Sequence, residues 1–114
     1  MVTIYHNPRC SKSRQTLQLL LDNNVTPEIV EYLKVPLNAN ALTDIITKLG
    51  VTVRDIIRTS EQDYKERELK NLALSDEELL AAIVDATKLM QRPIVVNGAK
   101  AAIGRPPENV LGIL

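Results

Sequence analysis

The pattern of apolar and polar positions predicts strands at both ends of the chain and helices in the middle. The β-branched and aromatic run at residues 2–5 predicts a strand, which Pro8 ends because proline has no amide hydrogen to donate. From Ser11 to Leu21 the apolar positions recur at helical spacing and predict a helix of roughly three turns. Residues 28–33 are rich in strand formers. A strand, a helix and a strand in this order imply a parallel pair with a right-handed crossover.

The middle of the chain has helical periodicity. Leu42, Ile45, Ile46 and Leu49 fall at i, i+3, i+4 and i+7, and Gly50 follows where a C-terminal cap belongs. We therefore predict a helix that ends at Gly50.

Two more helical segments follow. Val53, Ile56 and Ile57 form a short helical face, and Ser75 with Glu78 resembles a capping box that opens another helix. The charged residues 61–71 between them fit either a solvated helix or a mobile connection. We therefore predict helices over about residues 38–88.

Strand signals return near the C-terminal end. Residues 94–96 and 100–103 read as antiparallel strands joined by a turn at Asn97-Gly98, and a short helix follows Pro106. The order βαβ, helices, ββα predicts one α+β (α/β) domain over residues 1–114. It has a thioredoxin-like fold, with a four-stranded mixed sheet and a helical insertion at about residues 38–88 between the βαβ and ββα halves.

Composition and charge narrow the class of protein. Of the 114 residues, 45% are hydrophobic and 25% charged, typical of one globular domain. No apolar run approaches the ~18 to 20 residues that span a bilayer, and the first residues lack the pattern of a secretion signal, so we expect a cytoplasmic protein without a membrane partner. With 14 basic and 14 acidic residues, the chain has no global field to attract nucleic acid.

The charge is nevertheless unevenly distributed. Residues 1–21 contain three basic and no acidic residues, residues 86–107 contain four basic and none, and the remainder contains seven basic and fourteen acidic residues. If the two acid-free windows meet in space, they form an electropositive pocket suited to a small anion.

Cys10 is the only cysteine, so the chain can form neither an internal disulfide nor a Cys-rich zinc site. It lies where a loop enters a helix, so unpaired amides and the helix dipole would stabilise its thiolate. His6, Arg9, Lys12 and Arg14 add positive charge nearby. The alternative is a buried structural thiol, but the polar neighbours favour a reactive one, which another molecule's thiol would have to regenerate.

Two arginines near this cysteine have open roles. A phosphatase loop would need an arginine six positions after Cys10, where Thr16 stands. Arg14, one helical turn from Cys10, could approach the thiolate or point to solvent. Arg92 precedes Pro93 and a strand, where thioredoxin-like domains commonly have a cis proline; the sequence leaves open both the isomer and whether Arg92 faces Cys10.

Several motifs together resemble a known family. They are Tyr5-His6-Asn7-Pro8-Arg9-Cys10-Ser11-Lys12-Ser13-Arg14, Arg58 after Asp55-Ile56-Ile57, Arg92-Pro93-Ile94-Val95-Val96, and Gly104-Arg105-Pro106-Pro107-Glu108. In this order they resemble the arsenate reductases that use glutathione and glutaredoxin, most closely the short YfgD-type branch. The likeness covers nearly the whole chain.

The resemblance implies thiol-dependent reduction of arsenate to arsenite through a covalent adduct. It implies no bound cofactor or metal, glutathione as reducing co-substrate and glutaredoxin as partner. By this likeness Cys10 binds arsenic, His6 assists the thiolate, and the oxyanion is held by Arg58, Arg92 and Arg105. Ser13, Arg14 and Pro93 would support the site.

Three of these residues also have a structural explanation. Arg58 could interact with the dipole of a short helix whose last turn contains it, Arg105 could bond loop carbonyls, and His6 could be a hydrogen-bonding plug.

Two other functions fit the same sequence. The longer characterised enzymes read Cys-Gly-Thr-Ser-Arg where this chain has Lys12 in the loop, which could alter the preference for the oxyanion. The same residues would also support a glutathione-linked oxidoreductase that acts on a substrate other than arsenate. Spx-like regulators that bind RNA polymerase have a related fold and sense disulfide stress through Cys-x-x-Cys. Ser13 occupies the second position of that motif here, which excludes the disulfide switch but not the contact with polymerase.

Overall fold

One mixed sheet in the order β2-β1-β3-β4 organises the two ends of the chain. The computed structural model describes residues 1–114. β1 pairs with β2 in parallel and with β3 antiparallel, and β3 pairs antiparallel with β4. The strands are β1 (Val2–Tyr5), β2 (Glu28–Val30), β3 (Ile94–Asn97) and β4 (Lys100–Ile103). The predicted four-stranded mixed sheet is confirmed, and its βαβ and ββα halves give it the thioredoxin-like arrangement.

The chain falls into two compact units. The sheet unit consists of Met1–Val35 and Arg92–Leu114, and the helical unit is Pro36–Gln91. No helix in either unit is long and apolar enough to cross a membrane.

Helix α1 (Ser11–Asp22) makes the crossover between β1 and β2. Its Leu20 packs with Ile4, Val95 and Val110 in a core cluster from which solvent is wholly excluded. Burying each such side chain stabilises the fold by ~1.5 to 3 kcal/mol. Because strand residues alternate between faces, burial of one face in the core fixes the orientation of β1. The position of the loop that follows β1 is fixed with it.

The helical unit contains α2 (Ala39–Leu49), α3 (Gln62–Glu66) and α4 (Asp76–Asp85). Gly50 caps α2 with φ +69°, a backbone conformation that glycine adopts without the steric cost of a Cβ. Ser75 and Glu78 form the predicted capping box of α4. Two 3-10 helices, Val53–Ile56 and Thr87–Leu89, complete the unit.

Some elements differ from the sequence prediction. The second strand ends at Val30, three residues early, because the amides of Lys34 and Val35 donate to the Glu31 carbonyl and turn the chain. Part of the charged stretch 61–71 is helical, as α3. The C-terminal helix is of the 3-10 type, Pro107–Ile113.

Candidate active site

Cys10 is the N-cap residue of α1, at the end of the loop that follows β1. Its amide donates to the Asn7 carbonyl at 3.0 Å, and its side chain is 8% exposed. The backbone N–H groups of Ser13 and Lys12, in the first turn of the helix, donate hydrogen bonds to the sulfur. The first turn contains no acidic residue that would oppose a negative charge there.

These surroundings act on the Cys10 thiol in opposite directions. Burial raises its pKa, whereas the Ser13 amide, the positive charge of Arg92, the Lys12 amide and a hydrogen bond from the Arg92 side chain lower it. The lowering contributions prevail, so the pKa of Cys10 lies below the ordinary value of 9.0. The thiolate is the nucleophilic form of cysteine, so this environment activates it.

Arg105 contacts both the cysteine and the chain beside it. Its Nη2 lies 3.5 Å from Cys10 Sγ, and its Nε donates to the Arg92 carbonyl at 2.7 Å. The structural explanation of Arg105, a bond to a loop carbonyl, therefore accounts for one of these two contacts and not for the contact with sulfur. The Arg92–Pro93 peptide bond is cis, and the Arg105–Pro106 bond is cis as well.

The two acid-free windows of the sequence meet at this point. β1 and β3 are paired, and Arg92 and Arg105 from the second window lie against the cysteine of the first. The positive charge that the pattern predicted around the cysteine is therefore brought together within the sheet unit.

His6 is buried behind the cysteine loop. Its Nδ1 lies 2.6 Å from the Ser13 hydroxyl oxygen, which also accepts the Asn7 N–H at 3.0 Å. The Ser13 hydroxyl has one hydrogen to donate and a second lone pair to accept with, so the direction of its bond with Nδ1 follows the tautomer of the ring. Burial lowers the pKa of His6, the Glu31 carboxylate raises it and Arg14 lowers it, with a net lowering that favours the neutral ring.

Arg14 is exposed to solvent, the second of its two expected positions, and it also contacts the loop. Its Nη1 donates to the Pro8 carbonyl at 3.0 Å, so the side chain reaches back across the loop. The contact ties the first turn of α1 to the segment before Cys10.

Arg58 belongs to the helical unit and follows the 3-10 helix Val53–Ile56 instead of lying in its last turn, so the expected dipole interaction does not apply. Its amide donates to the Leu89 carbonyl at 2.7 Å, next to the antiparallel bridge between Ile57 and Met90. Its guanidinium pairs with the Glu61 carboxylate. Its predicted role toward an oxyanion stays a prediction.

Gly104 appears in the sequence analysis only as the first residue of a motif, and its role in the structure was not predicted. A Cβ there would lie 2.5 Å from Thr16 Oγ1 and 2.8 Å from Pro93 Cγ, so α1, the cis proline and the end of β4 approach one another where only glycine fits. Its amide donates to the Pro93 carbonyl at 2.9 Å. The sequence signal was a glycine between the end of a predicted strand and Arg105, a candidate site residue.

The donors gathered here suit an anion better than a metal. The structure contains no group of three or more His, Cys, Asp or Glu residues able to hold a metal ion. Guanidinium groups instead present planar donor forks that match oxyanions, and they stay charged at all accessible pH values.

Comparison with known proteins agrees with this arrangement. The profile of the ArsC family matches residues 5–113. The chain belongs to the ArsC family. Among family members, the Escherichia coli protein named YfgD is 54% identical over 99% of this chain and 96% of its own length. A Haemophilus influenzae protein named arsenate reductase is 52% identical, covering 99% and 98%. The solved structure of an arsenate reductase from Vibrio cholerae superposes with a TM-score of 0.97 at 46% identity, covering 99% and 97%.

Proposed function

We propose that this ArsC-family chain is an oxidoreductase that reduces arsenate to arsenite, with Cys10 as its nucleophile. The observation that carries the proposal is the contact between the activated thiol and Arg105, 3.5 Å apart. A thiolate with a guanidinium beside it can attack the central atom of an oxyanion while the cation binds its oxygens. Relatives of nearly the same length are named arsenate reductases, which supports arsenate as that oxyanion.

The first step forms a bond between Cys10 and arsenic. The Cys10 thiolate attacks arsenic(V), and one oxygen leaves as hydroxide or water. The product is a covalent thiol–arsenate adduct in which arsenic is still pentavalent. Arg92 and Arg105 stabilise the charge on the remaining oxygens, and the resemblance assigns the same task to Arg58.

Reduction occurs when glutathione attacks the adduct. The glutathione thiolate bonds to Cys10 Sγ, the sulfur–arsenic bond breaks, and its electron pair stays on arsenic, which leaves as arsenite. The two electrons come from the two sulfurs, which are now joined in a mixed disulfide. Glutaredoxin then attacks the glutathione sulfur and releases the Cys10 thiolate. The lone cysteine makes such an external route necessary.

His6, Ser13 and Arg14 act as positioning residues in this scheme. Ser13 donates its amide to the sulfur, and His6 holds the Ser13 hydroxyl. Arg14 holds the Pro8 carbonyl on the other side of the loop. Each contact fixes the conformation in which Cys10 meets the helix amides.

The test is arsenate-dependent oxidation of NADPH, coupled through glutathione, glutathione reductase and glutaredoxin. Wild type should turn over and Cys10→Ser should not. Arg105→Ala should lower kcat/KM for arsenate by about 10²-fold, the scale for loss of one preorganised donor to a developing charge. Omitting glutaredoxin should leave glutathionylated Cys10, visible by intact mass. Lack of arsenate-dependent turnover in wild type would refute the proposed activity, and turnover by Cys10→Ser would refute the nucleophile.

A further inference from the structure

A charged groove lies beside the cysteine loop, within the sheet unit. It has a volume of about 200 Å³, and its walls come from the loop after β1 and the turn after β2. Because β1 and β2 are parallel, their carboxyl ends lie at the same edge of the sheet, and the His6 amide donates to the Val30 carbonyl at 2.8 Å. The groove therefore opens at the edge from which Cys10 enters α1.

Three charged side chains line this groove: Arg9, Glu31 and Lys34. Lys34 Nζ lies 3.4 Å from Glu31 Oε1, and the two side chains are 76% and 37% exposed, so this pair is weak and open to a competing ligand. Arg9, directly before Cys10, is exposed. With His6 neutral, the groove carries two positive charges and one negative charge.

The γ-glutamyl end of glutathione carries one ammonium and one carboxylate at neutral pH, which match the carboxylate and the cations of the groove. We propose that this groove binds the charged γ-glutamyl end of glutathione, with Glu31 receiving its ammonium and Arg9 and Lys34 its α-carboxylate. This inference rests on the proposed function, which requires a small thiol to reach Cys10. The groove is smaller than the ~300 to 1,000 Å³ of pockets that enclose whole drug-sized ligands, so it holds one end of the tripeptide and leaves the thiol free.

The position of the groove fits this occupant. One of the residues that line the groove, Arg9, directly precedes Cys10 in the chain. Leu33 contributes an apolar wall. Arg92 and Arg105, to which the proposed function assigns the oxyanion, come from a different part of the sheet unit, at the cis proline and after β4. The two reactants thus have separate sets of charged residues.

The test uses S-methylglutathione, which has the charges of glutathione but no thiol. We expect its titration into the wild-type protein to shift the NMR signals of backbone amides at residues 6–9 and 31–34. Glu31→Gln should weaken binding by about three- to fivefold, the loss expected from one exposed charge pair. Asp44→Asn is the matched control, because Asp44 is a surface carboxylate paired with Lys48 in the helical unit, and it should bind as wild type does.

A kinetic measurement separates this inference from the proposed function. Glu31→Gln should raise KM for glutathione and leave KM for arsenate unchanged. Shifts elsewhere than in the two loops, or equal affinity in wild type and Glu31→Gln, would overturn the groove as the glutathione site. Binding of S-methylglutathione is measured without arsenate, so its result does not depend on the turnover assay. Absence of arsenate turnover would refute the proposed reaction and leave the binding result standing.

Discussion

The chemistry of Cys10 depends on groups from two distant parts of the sequence. Two helix amides lie within three residues of it, whereas Arg92 and Arg105 are more than eighty residues away. Burial alone would have made this thiol less acidic than usual, so the pKa depends on the donors that oppose burial.

Replacing Arg105 should therefore make the thiol less acidic. We expect Arg105→Ala to raise the pKa of Cys10, since it removes a cation in contact with the sulfur. Titration of the thiolate by its ultraviolet absorbance measures the change, because Cys10 is the only thiol. Lys100→Ala removes an exposed cation from β4 and should leave the titration unchanged. Equal curves for Arg105→Ala and wild type would contradict the assigned contact.

His6 should make the stability of the protein depend on pH. Its pKa is lowered below the ordinary 6.5, so the unfolded chain binds a proton before the folded chain does. The free energy of unfolding should therefore be greatest above pH 6.5 and fall as the pH decreases toward the lowered pKa. The slope should stay below about 1.4 kcal/mol per pH unit, the limit for one proton.

The control for this effect is His6→Asn, which keeps a hydrogen-bonding group for the Ser13 hydroxyl but does not titrate. Urea unfolding at pH 7.5 and pH 5.5 compares the two proteins. Wild type should lose more stability than His6→Asn over this interval, and an equal loss would show that other groups cause the pH dependence.

At the scale of elements, α1 and the end of β4 are held together at Gly104. We expect Gly104→Ala to destabilise the protein by ~1 to 3 kcal/mol, the usual cost of overpacking a tight contact. Gly112→Ala is the matched control, because a Cβ at Gly112 would meet nothing within 4 Å. Denaturant unfolding of the two variants measures the difference, and equal stabilities would mean that the contact yields without cost.

Local patterns predicted most elements because their signals are local. Gly50 and the Ser75–Glu78 pair mark helix ends through contacts over a few residues, and the structure confirms both. The turn that shortens β2 escaped prediction because strand propensity at residues 31–33 was overridden by backbone hydrogen bonds from Lys34 and Val35.

The site was only partly predictable, because local signals do not reveal contacts between residues that are distant in the sequence. The position of Cys10 at a helix start followed from neighbouring residues, whereas the contact of Arg105 with its sulfur spans 95 residues. Arg14 shows the limit of periodicity, which places it on the correct face of α1 but does not reveal that it binds the Pro8 carbonyl.

The neutral charge of the whole molecule conceals a difference between its units. The sheet unit has seven basic and four acidic residues, a net charge of +3, and the helical unit has seven basic and ten acidic residues, a net charge of −3. An anionic substrate of the cysteine site therefore meets a positively charged unit in a molecule with no net charge.

The rate of substrate capture should consequently depend on salt. We expect kcat/KM for arsenate to fall as sodium chloride is raised from low to physiological concentration, because the Debye length contracts to about 8 Å at 0.15 M. The value of kcat should change less, since the bound anion contacts its guanidinium groups directly. Steady-state kinetics in a salt series measures both, and a kcat/KM independent of salt would argue against attraction by the sheet unit.

The hydroxyl of Ser13, one helical turn from Cys10, has a further consequence for how the protein behaves in a cell. A cysteine at this position could form an intramolecular disulfide with Cys10, and the oxidised protein would then persist in that form. With oxygen in its place, Cys10 can form a disulfide only with a thiol of another molecule. The protein therefore cannot hold an oxidised state as an intramolecular disulfide. Its turnover rate should depend on the concentration of the external thiols that reduce Cys10.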